Sequence, residues 1–463
     1  MLTYNLNERK KISAYEYLYQ CIREDILTGT IQANEKLPSK RSLAQHLGIS
    51  VITVENAYEQ LLMEGYVRSI PKVGFFVEEL EKTENVSCMI REIPEEPFEY
   101  SYFADLRSNR LRRSNFPFAT WSKLLRETLA IHNEELLKTI PYNGIYELRL
   151  AICNYLHENR GMDVRPQQII VGAGTEYLYG RLIQLFEPKD VWAVENVGSR
   201  KITAIYDMYR VSWYSVDTDK SGPVIDSLNA SEANIIHVSP ANHFPFGKVM
   251  PIKRRQELLN WTAETPDRYI LEDDYDSEFT YRGFASKPIY ALDHQGRTIY
   301  MNTFSKTLIP SLRISYMVLP EELLQRFRSR LSFYSGTVPS MEQYTLARFI
   351  SEGYYERHIN HMKNYFRTIR KELLQALRES RLHEISTITD PGCGTYFLLR
   401  LNTALSDREI LKRSMDKDIE VAALSEYLPG KGKDSHTLVI NYCGIHRERI
   451  TKTIALLEEI ICD

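Results

Sequence analysis

Paired cysteines are missing from this chain. Its six cysteines, Cys21, Cys88, Cys153, Cys393, Cys443 and Cys462, are scattered over 463 residues with no CxxC pair and no metal-ligand spacing. That pattern argues against a disulfide framework and a zinc module, and fits free thiols in a reducing compartment. Charge of one sign is also missing: the net charge is −3, so no global pull toward nucleic acid or membrane is evident. No apolar run approaches the length of a membrane span, and the N-terminus lacks the apolar core of a signal peptide. Internal repeats and low-complexity tracts are absent. A cytoplasmic protein with no metal site is the expectation.

What is present reads as globular. Hydrophobic content is 43% and charged content 26%, ordinary values for a folded soluble chain. The length exceeds one compact domain, so two or three are expected. In the first eighty residues Tyr15, Leu18, Ile22 and Ile26 recur at helical spacing, with Gly29 as a stop. Ser39 caps a second helix that ends at Gly48. Ser50 caps a third, with Val54, Tyr58, Leu61 and Leu62 on one face, closing at Gly65. Tyr66-Val67-Arg68 and Gly74-Phe75-Phe76-Val77 read as a hairpin joined by Ile70-Pro71-Lys72-Val73. The second and third helices suggest a helix-turn-helix and the hairpin a wing.

Leu37-Pro38-Ser39-Lys40-Arg41-Ser42-Leu43-Ala44, Leu47-Gly48-Ile49-Ser50, Thr53-Val54, Ala57-Tyr58, Leu61 and Glu64-Gly65-Tyr66 closely resemble the winged helix of GntR-type bacterial regulators. The resemblance implies that Ser39, Arg41, Ser50 and Thr53 touch the DNA backbone and that the third helix enters the major groove. The candidate DNA-facing set is Ser39, Lys40, Arg41, Ser50, Ile52, Thr53, Asn56, Tyr58, Lys72 and Gly74. One departure stands out: Val51 occupies a position where that family often has arginine. Residues 1–80 hold nine Lys/Arg and ten Asp/Glu, so Lys40, Arg41, Arg68 and Lys72 must gather on one side to serve phosphates. From Glu78 to Glu99 there are eight glutamates and two basic residues, together with Pro94 and Pro97, the composition of an extended acidic linker.

Past Phe116-Pro117, short apolar runs alternate with helical stretches: Ile169–Val171, Val191–Val194, Ile235–Val238, Tyr269–Leu271, Ile299–Met301 and Ile314–Leu319. They read as buried strands of a mostly parallel α/β sheet, whose ligands sit at C-terminal strand ends. Each chemically informative motif follows a strand. Gly172-Ala173-Gly174-Thr175-Glu176 is a small-residue turn into a helix, a phosphate-binding arrangement. Glu272-Asp273-Asp274-Tyr275 puts carboxylates where one could face a pyridine nitrogen. Thr303-Phe304-Ser305-Lys306-Thr307, with Arg313 seven residues beyond the lysine, suits a cofactor carrying both aldehyde and phosphate: the amine for a Schiff base, hydroxyls and guanidinium for the phosphate.

The order and spacing of these motifs resemble fold-type I pyridoxal 5'-phosphate (PLP) proteins, the aspartate aminotransferase superfamily, over residues 110–455. The resemblance implies an aldimine on Lys306, a pyridinium partner in Asp273, and Tyr275 on the phenolic oxygen. It implies phosphate contacts from Thr175, the Glu176 backbone, Ser305 and Arg313, and Gly174 and Thr303 join the cofactor-binding set. Tyr142 matches a tyrosine that reaches the neighbouring subunit's phosphate. His243, in Pro240-Ala241-Asn242-His243-Phe244-Pro245-Phe246-Gly247, stands near an amide position of the cofactor loop, where it could bond the phenolic oxygen or fill space.

A winged helix fused to this fold resembles the MocR/GabR regulators, bacterial transcription factors that form head-to-tail, domain-swapped homodimers. The expected architecture is therefore multidomain: a winged helix-turn-helix over 1–78, a linker over 79–109, and an α/β aminotransferase-like domain over 110–463 with a smaller C-terminal α+β subdomain. Two departures bear on function. Val439, in Leu438-Val439-Ile440-Asn441-Tyr442, stands where aminotransferases place the arginine that grips a substrate carboxylate, and losing such a pair costs several kcal/mol. The loop Glu195–Lys201 lacks the usual Pro-Gly-Tyr. The resulting expectation is a regulator that binds double-stranded DNA and senses PLP itself, controlling vitamin B6 synthesis genes, and is not a working enzyme. One alternative is a regulator of an amino acid (GABA-like or D-alanine-like), joined as an external aldimine with Arg200, Lys201 or Arg400 gripping its carboxylate. The other is an active aminotransferase, with Lys306 catalytic, carrying an appended domain.

Overall fold

The computed structural model describes residues 2–9, 12–80, 102–109, 111–198, 200–281, 287–428 and 434–463. Most of the expected linker, residues 81–101, and Cys88 with it, lies outside them. The chain divides into two compact units, Met1–Phe98 and Glu99–Asp463.

The first unit contains helices α1 (Ala14–Leu27), α2 (Lys40–Leu47) and α3 (Val51–Met63) and an antiparallel hairpin of β1 (Val67–Ile70) and β2 (Gly74–Val77). Ser39 Oγ accepts from Ser42 N and Ser50 Oγ from Thr53 N, each at 3.1 Å, so both serines cap their helices as their position suggests. Gly48 closes α2 at φ 67°, a conformation costly to residues with a Cβ. Leu18, Ile22, Leu43, Val54, Ala57, Leu61 and Val67 form the core. Tyr15 and Leu62, assigned to inner faces by spacing, are instead exposed, and Ala57 takes the inward place on α3. Strand β1 also runs to Ile70, two residues further than Tyr66-Val67-Arg68 implied. Tyr58, placed on the inner face by its spacing and also in the DNA-facing set, belongs to the core: it is 0% exposed and its hydroxyl donates to the Pro38 carbonyl at 3.0 Å.

In the second unit a seven-stranded sheet has the order β3-β9-β8-β7-β6-β4-β5. Its strands are β3 (Ile169–Gly172), β4 (Val191–Glu195), β5 (Ser212–Val216), β6 (Ile235–Val238), β7 (Tyr269–Asp273), β8 (Thr298–Thr303) and β9 (Ser315–Val318). Only β9 pairs antiparallel with its neighbours, as expected for a mostly parallel sheet. Ile169 and Val171 enter one hydrophobic cluster and Ile170 another, the period-two alternation of a sheet covered on both faces. Edge strand β5 escapes a search for apolar runs because its pattern, Ser-Trp-Tyr-Ser-Val, is mostly exposed. A second sheet, ordered β10-β11-β13-β12, joins β10 (Ser386–Thr389), β11 (Tyr396–Leu401), β12 (Ala422–Ala423) and β13 (Thr437–Asn441). It packs with the helices Tyr354–Glu379, Asp407–Asp416 and Ile450–Cys462 around one core. Among the described residues no helix is long and apolar enough to cross a membrane.

The placement of Tyr58 is testable. Tyr58→Ala should destabilise the first unit by about 3–5 kcal/mol, the cost of truncating a buried aromatic. Urea unfolding followed by circular dichroism would measure this; an unchanged transition would return Tyr58 to the surface.

Candidate functional site

The parallel strands direct their C-terminal ends toward a cavity of about 680 Å³ lined by Asp273, Tyr275, Thr303, Ser305, Lys306 and Arg313, among others. Strand β8 delivers the lysine. Thr303 ends the strand and its Oγ1 accepts from Ser305 N at 3.1 Å, turning the chain into the short helix Phe304–Thr307 where a loop was expected. The Lys306 amine lies 3.5 Å from Asp276 Oδ2 and 4.6 Å from the centre of the Tyr275 ring. Asp276 is buried and also accepts from Asn242 Nδ2 at 2.7 Å. Burial pushes its carboxyl up, while Lys306 and Asn242 oppose the shift.

Asp273, at the end of β7, accepts from the Tyr179 hydroxyl at 2.8 Å and has His237 Nε2 at 3.8 Å. His237 is held in turn by Tyr206, whose hydroxyl is 2.8 Å from Nδ1. Among the described residues the second oxygen of Asp273 has no hydrogen-bond partner, and neither does Ser305 Oγ. At the start of the helix Thr175–Ile183, Gly174 has φ 93°, and a Cβ there would strike the Arg313 guanidinium. Arg313 and Lys201 both pair with Glu176. Burial alone would raise the Glu176 carboxyl, yet the Lys201 contact, a backbone bond and Arg313 hold it down to about 2. An amine, a carboxylate, a hydroxyl and a guanidinium therefore converge on one cavity.

Other expected residues stand elsewhere. Arg200 and Lys201 line the cavity. Arg400 does not: its register on β11, opposite Thr387 and Thr437, carries it into solvent. His243 lines the cavity, but its Nε2 lies 3.0 Å from the Val197 carbonyl and 3.5 Å from Glu195. Burial lowers its pKa to about 4. The amide of that loop facing the lysine is Asn242, through Asp276. The Tyr275 hydroxyl donates to the Asn242 carbonyl at 2.9 Å. Tyr142 lies outside the cavity and stacks on Phe327 with ring centres 5.9 Å apart. Val439 is buried among Tyr396, Leu398, Ala422 and Leu424. Sequence reading missed Tyr179, His237 and Glu195; His237 and Glu195 signalled themselves only as a lone polar residue inside, or at the end of, an apolar run, and Tyr179, on the helix Thr175–Ile183, gave no signal.

In the first unit Ser39, Arg41, Ser50, Ile52, Asn56 and Lys72 are exposed. Lys40 pairs with Glu55 at 2.6 Å and lies over the Phe75 ring. Thr53 Oγ1 is 2.8 Å from Ser50 Oγ, and Gly74 opens β2 at φ 136°. Among the described residues no group of three or more His, Cys, Asp or Glu could hold a metal ion.

Residues 14–77 match the family of bacterial regulatory proteins, gntR family, and residues 103–455 match aminotransferase class I and II. The HTH-type transcriptional regulator YdeL of Bacillus subtilis (strain 168) is 35% identical over 459 residues, covering 98% of both chains. The chain belongs to the MocR/GabR-type transcription regulators. A second relative of this regulator is the HTH-type pyridoxine biosynthesis transcriptional regulator PdxR of Corynebacterium glutamicum, 27% identical and covering 93% of this chain and 92% of that one. Among solved structures, an archaeal alanine:glyoxylate aminotransferase aligns with a TM-score of 0.69 at 22% identity, over 78% of this chain and 90% of that one. That likeness is one of fold. The regulator thus joins a DNA-binding winged helix to an aminotransferase-like domain of a PLP-dependent fold family.

Glu195 gives the cavity a pH signature. Burial raises its carboxyl from 4.5 to about 8, so the folded chain holds a proton that the unfolded chain has released between those values. Its contribution to stability is present at low pH and is lost as pH rises from about 4.5 to about 8. Glu195→Gln cannot ionise. Thermal melts of the variant should fall less between pH 5 and pH 8 than those of the native chain, and an equal fall would contradict the assignment.

Proposed function

We propose that the cavity binds PLP and that this regulator senses PLP itself, with PLP-synthesis genes as its targets. The carrying observation is the convergence of Lys306, Asp273, Ser305 and Arg313 on one cavity, while Val439 lies in an apolar cluster instead of offering a carboxylate grip. The residues fit such a ligand. The unpartnered oxygens of Asp273 and Ser305 suit a protonated ring nitrogen and a phosphate, and Gly174 leaves the guanidinium room that any larger residue would take. When bound, the cofactor supplies an aldehyde for a lysine amine and an electron-accepting ring.

The chain's own groups then have distinct roles. Lys306 presents its amine, positioned by Asp276. Asp273, oriented by Tyr179, holds a proton on the ring nitrogen. The Tyr275 ring forms a wall beneath the amine. Thr175, the Glu176 backbone, Ser305 and Arg313 take the phosphate, with Tyr142 reaching the cavity of a second copy in a head-to-tail homodimer. His243, committed to Val197 and Glu195, serves as a wall. The PdxR relative, named for pyridoxine biosynthesis, supports the choice of target genes.

A second reading, sensing of an amino acid, is favoured by Arg200 and Lys201, which line the same cavity and could hold a carboxylate. Turnover as an aminotransferase is the least supported reading, because Val439 cannot bind a substrate carboxylate.

Borohydride reduction of the PLP-loaded protein followed by peptide mapping should place the adduct on Lys306; an adduct elsewhere, or none, would overturn the site. Arg313→Gln should weaken PLP binding by roughly 10- to 100-fold, the worth of a hydrogen bond to a charged group, read by absorbance titration. PLP alone should change the affinity for the regulator's own promoter duplex. A change that required one amino acid from a panel would favour the second reading.

A further inference from the structure

Helix α3 contains no lysine, arginine or histidine between Val51 and Met63. In a helix-turn-helix this element lies in the major groove, with its first residues against the base edges. Guanine is read there chiefly by arginine or lysine, through paired bonds to O6 and N7. This helix has no such group to offer. Its first turn instead exposes two branched apolar side chains, Val51 at 42% and Ile52 at 67%. Asn56 follows Ile52 by four residues, one turn along the same face, and is exposed. Ser50 caps the helix, so the backbone that presents Val51 and Ile52 is fixed before any DNA arrives. Glu55 could accept a hydrogen bond from cytosine, but it is paired with Lys40 at 2.6 Å.

We infer that α3 reads A·T pairs, with Val51 and Ile52 packing against thymine methyl groups and Asn56 bonding adenine. Apolar contact with the thymine methyl, and the paired asparagine–adenine bond, are the readouts open to these side chains. Arg41 and Lys72, exposed cations of the unit, serve phosphates and set affinity without sequence information. The inference concerns the first unit alone and stands whatever the cavity binds.

The test uses the full-length protein and a duplex selected by it from a random-sequence pool. Each thymine of the selected duplex is replaced in turn by deoxyuridine, which removes only the methyl group. Two neighbouring positions should each weaken binding roughly fourfold, the worth of one buried methyl, with no change in salt dependence. In Ile52→Ala, where an exposed side chain is trimmed without touching the core, one of the two positions should lose its sensitivity. Binding indifferent to every deoxyuridine would overturn the inference. So would selected sites led by guanines whose 7-deaza replacement abolishes binding, or a selection that enriches no sequence.

Discussion

Lys306 meets a carboxylate, Asp276, that is almost wholly removed from water. Moving either charge from solvent costs several kcal/mol, and the pair recovers that only through good geometry and further hydrogen bonds. Asn242 supplies one such bond, and the Tyr396 hydroxyl in turn fixes Asn242 from 3.1 Å. The stretch around β7 multiplies the problem, because Glu272, Asp273, Asp274, Asp276 and Glu278 are all buried. Burial pushes the Glu272 and Glu278 carboxyls up to about 7, with Asp274 adding to each shift. Arg160, itself buried, pairs with Asp274 and opposes the shift at Glu278, while Arg255 opposes that at Glu272. A chain selected for stability alone would put hydrophobic residues there. Such a concentration of buried ionisable groups at one strand end is a mark of a functional site.

The sheet makes that concentration affordable in a geometric sense. Its two faces bury long apolar clusters, and the strand ends converge so that side chains distant in sequence share one cavity. Asp273, the last residue of β7, lines the cavity, and Asp274, just beyond the strand, pairs with Arg160, so neighbouring carboxylates do different work.

Much of this was legible in the chain. Buried parallel strands announce themselves as short apolar runs, and the Gly174, Asp273 and Lys306 motifs each follow one. The capping serines Ser39 and Ser50 were equally readable, since their signal is local. What escaped was tertiary. Tyr179 and His237 reach Asp273 from other elements, and Glu195 is known as a buried acid only once the cavity closes around it. Tyr58 was read two ways, and the spacing that set it beside Val54 and Leu61 was right where its place in the DNA-facing set was not, because packing against the other helices claimed it. Arg400 misled because strand register, which no single segment reveals, decides where its side chain points.

A sensor requires that its two ends be coupled, and coupling is reciprocal: whatever factor a ligand applies to DNA affinity, DNA must apply to ligand affinity. The most direct measurement is the PLP affinity of the full-length protein with and without a saturating operator duplex. Coupling requires two different affinities, their ratio equal to the factor by which PLP changes operator binding, and no measurable PLP binding is expected of Lys306→Ala in either condition. Equal PLP affinities with and without DNA would contradict it.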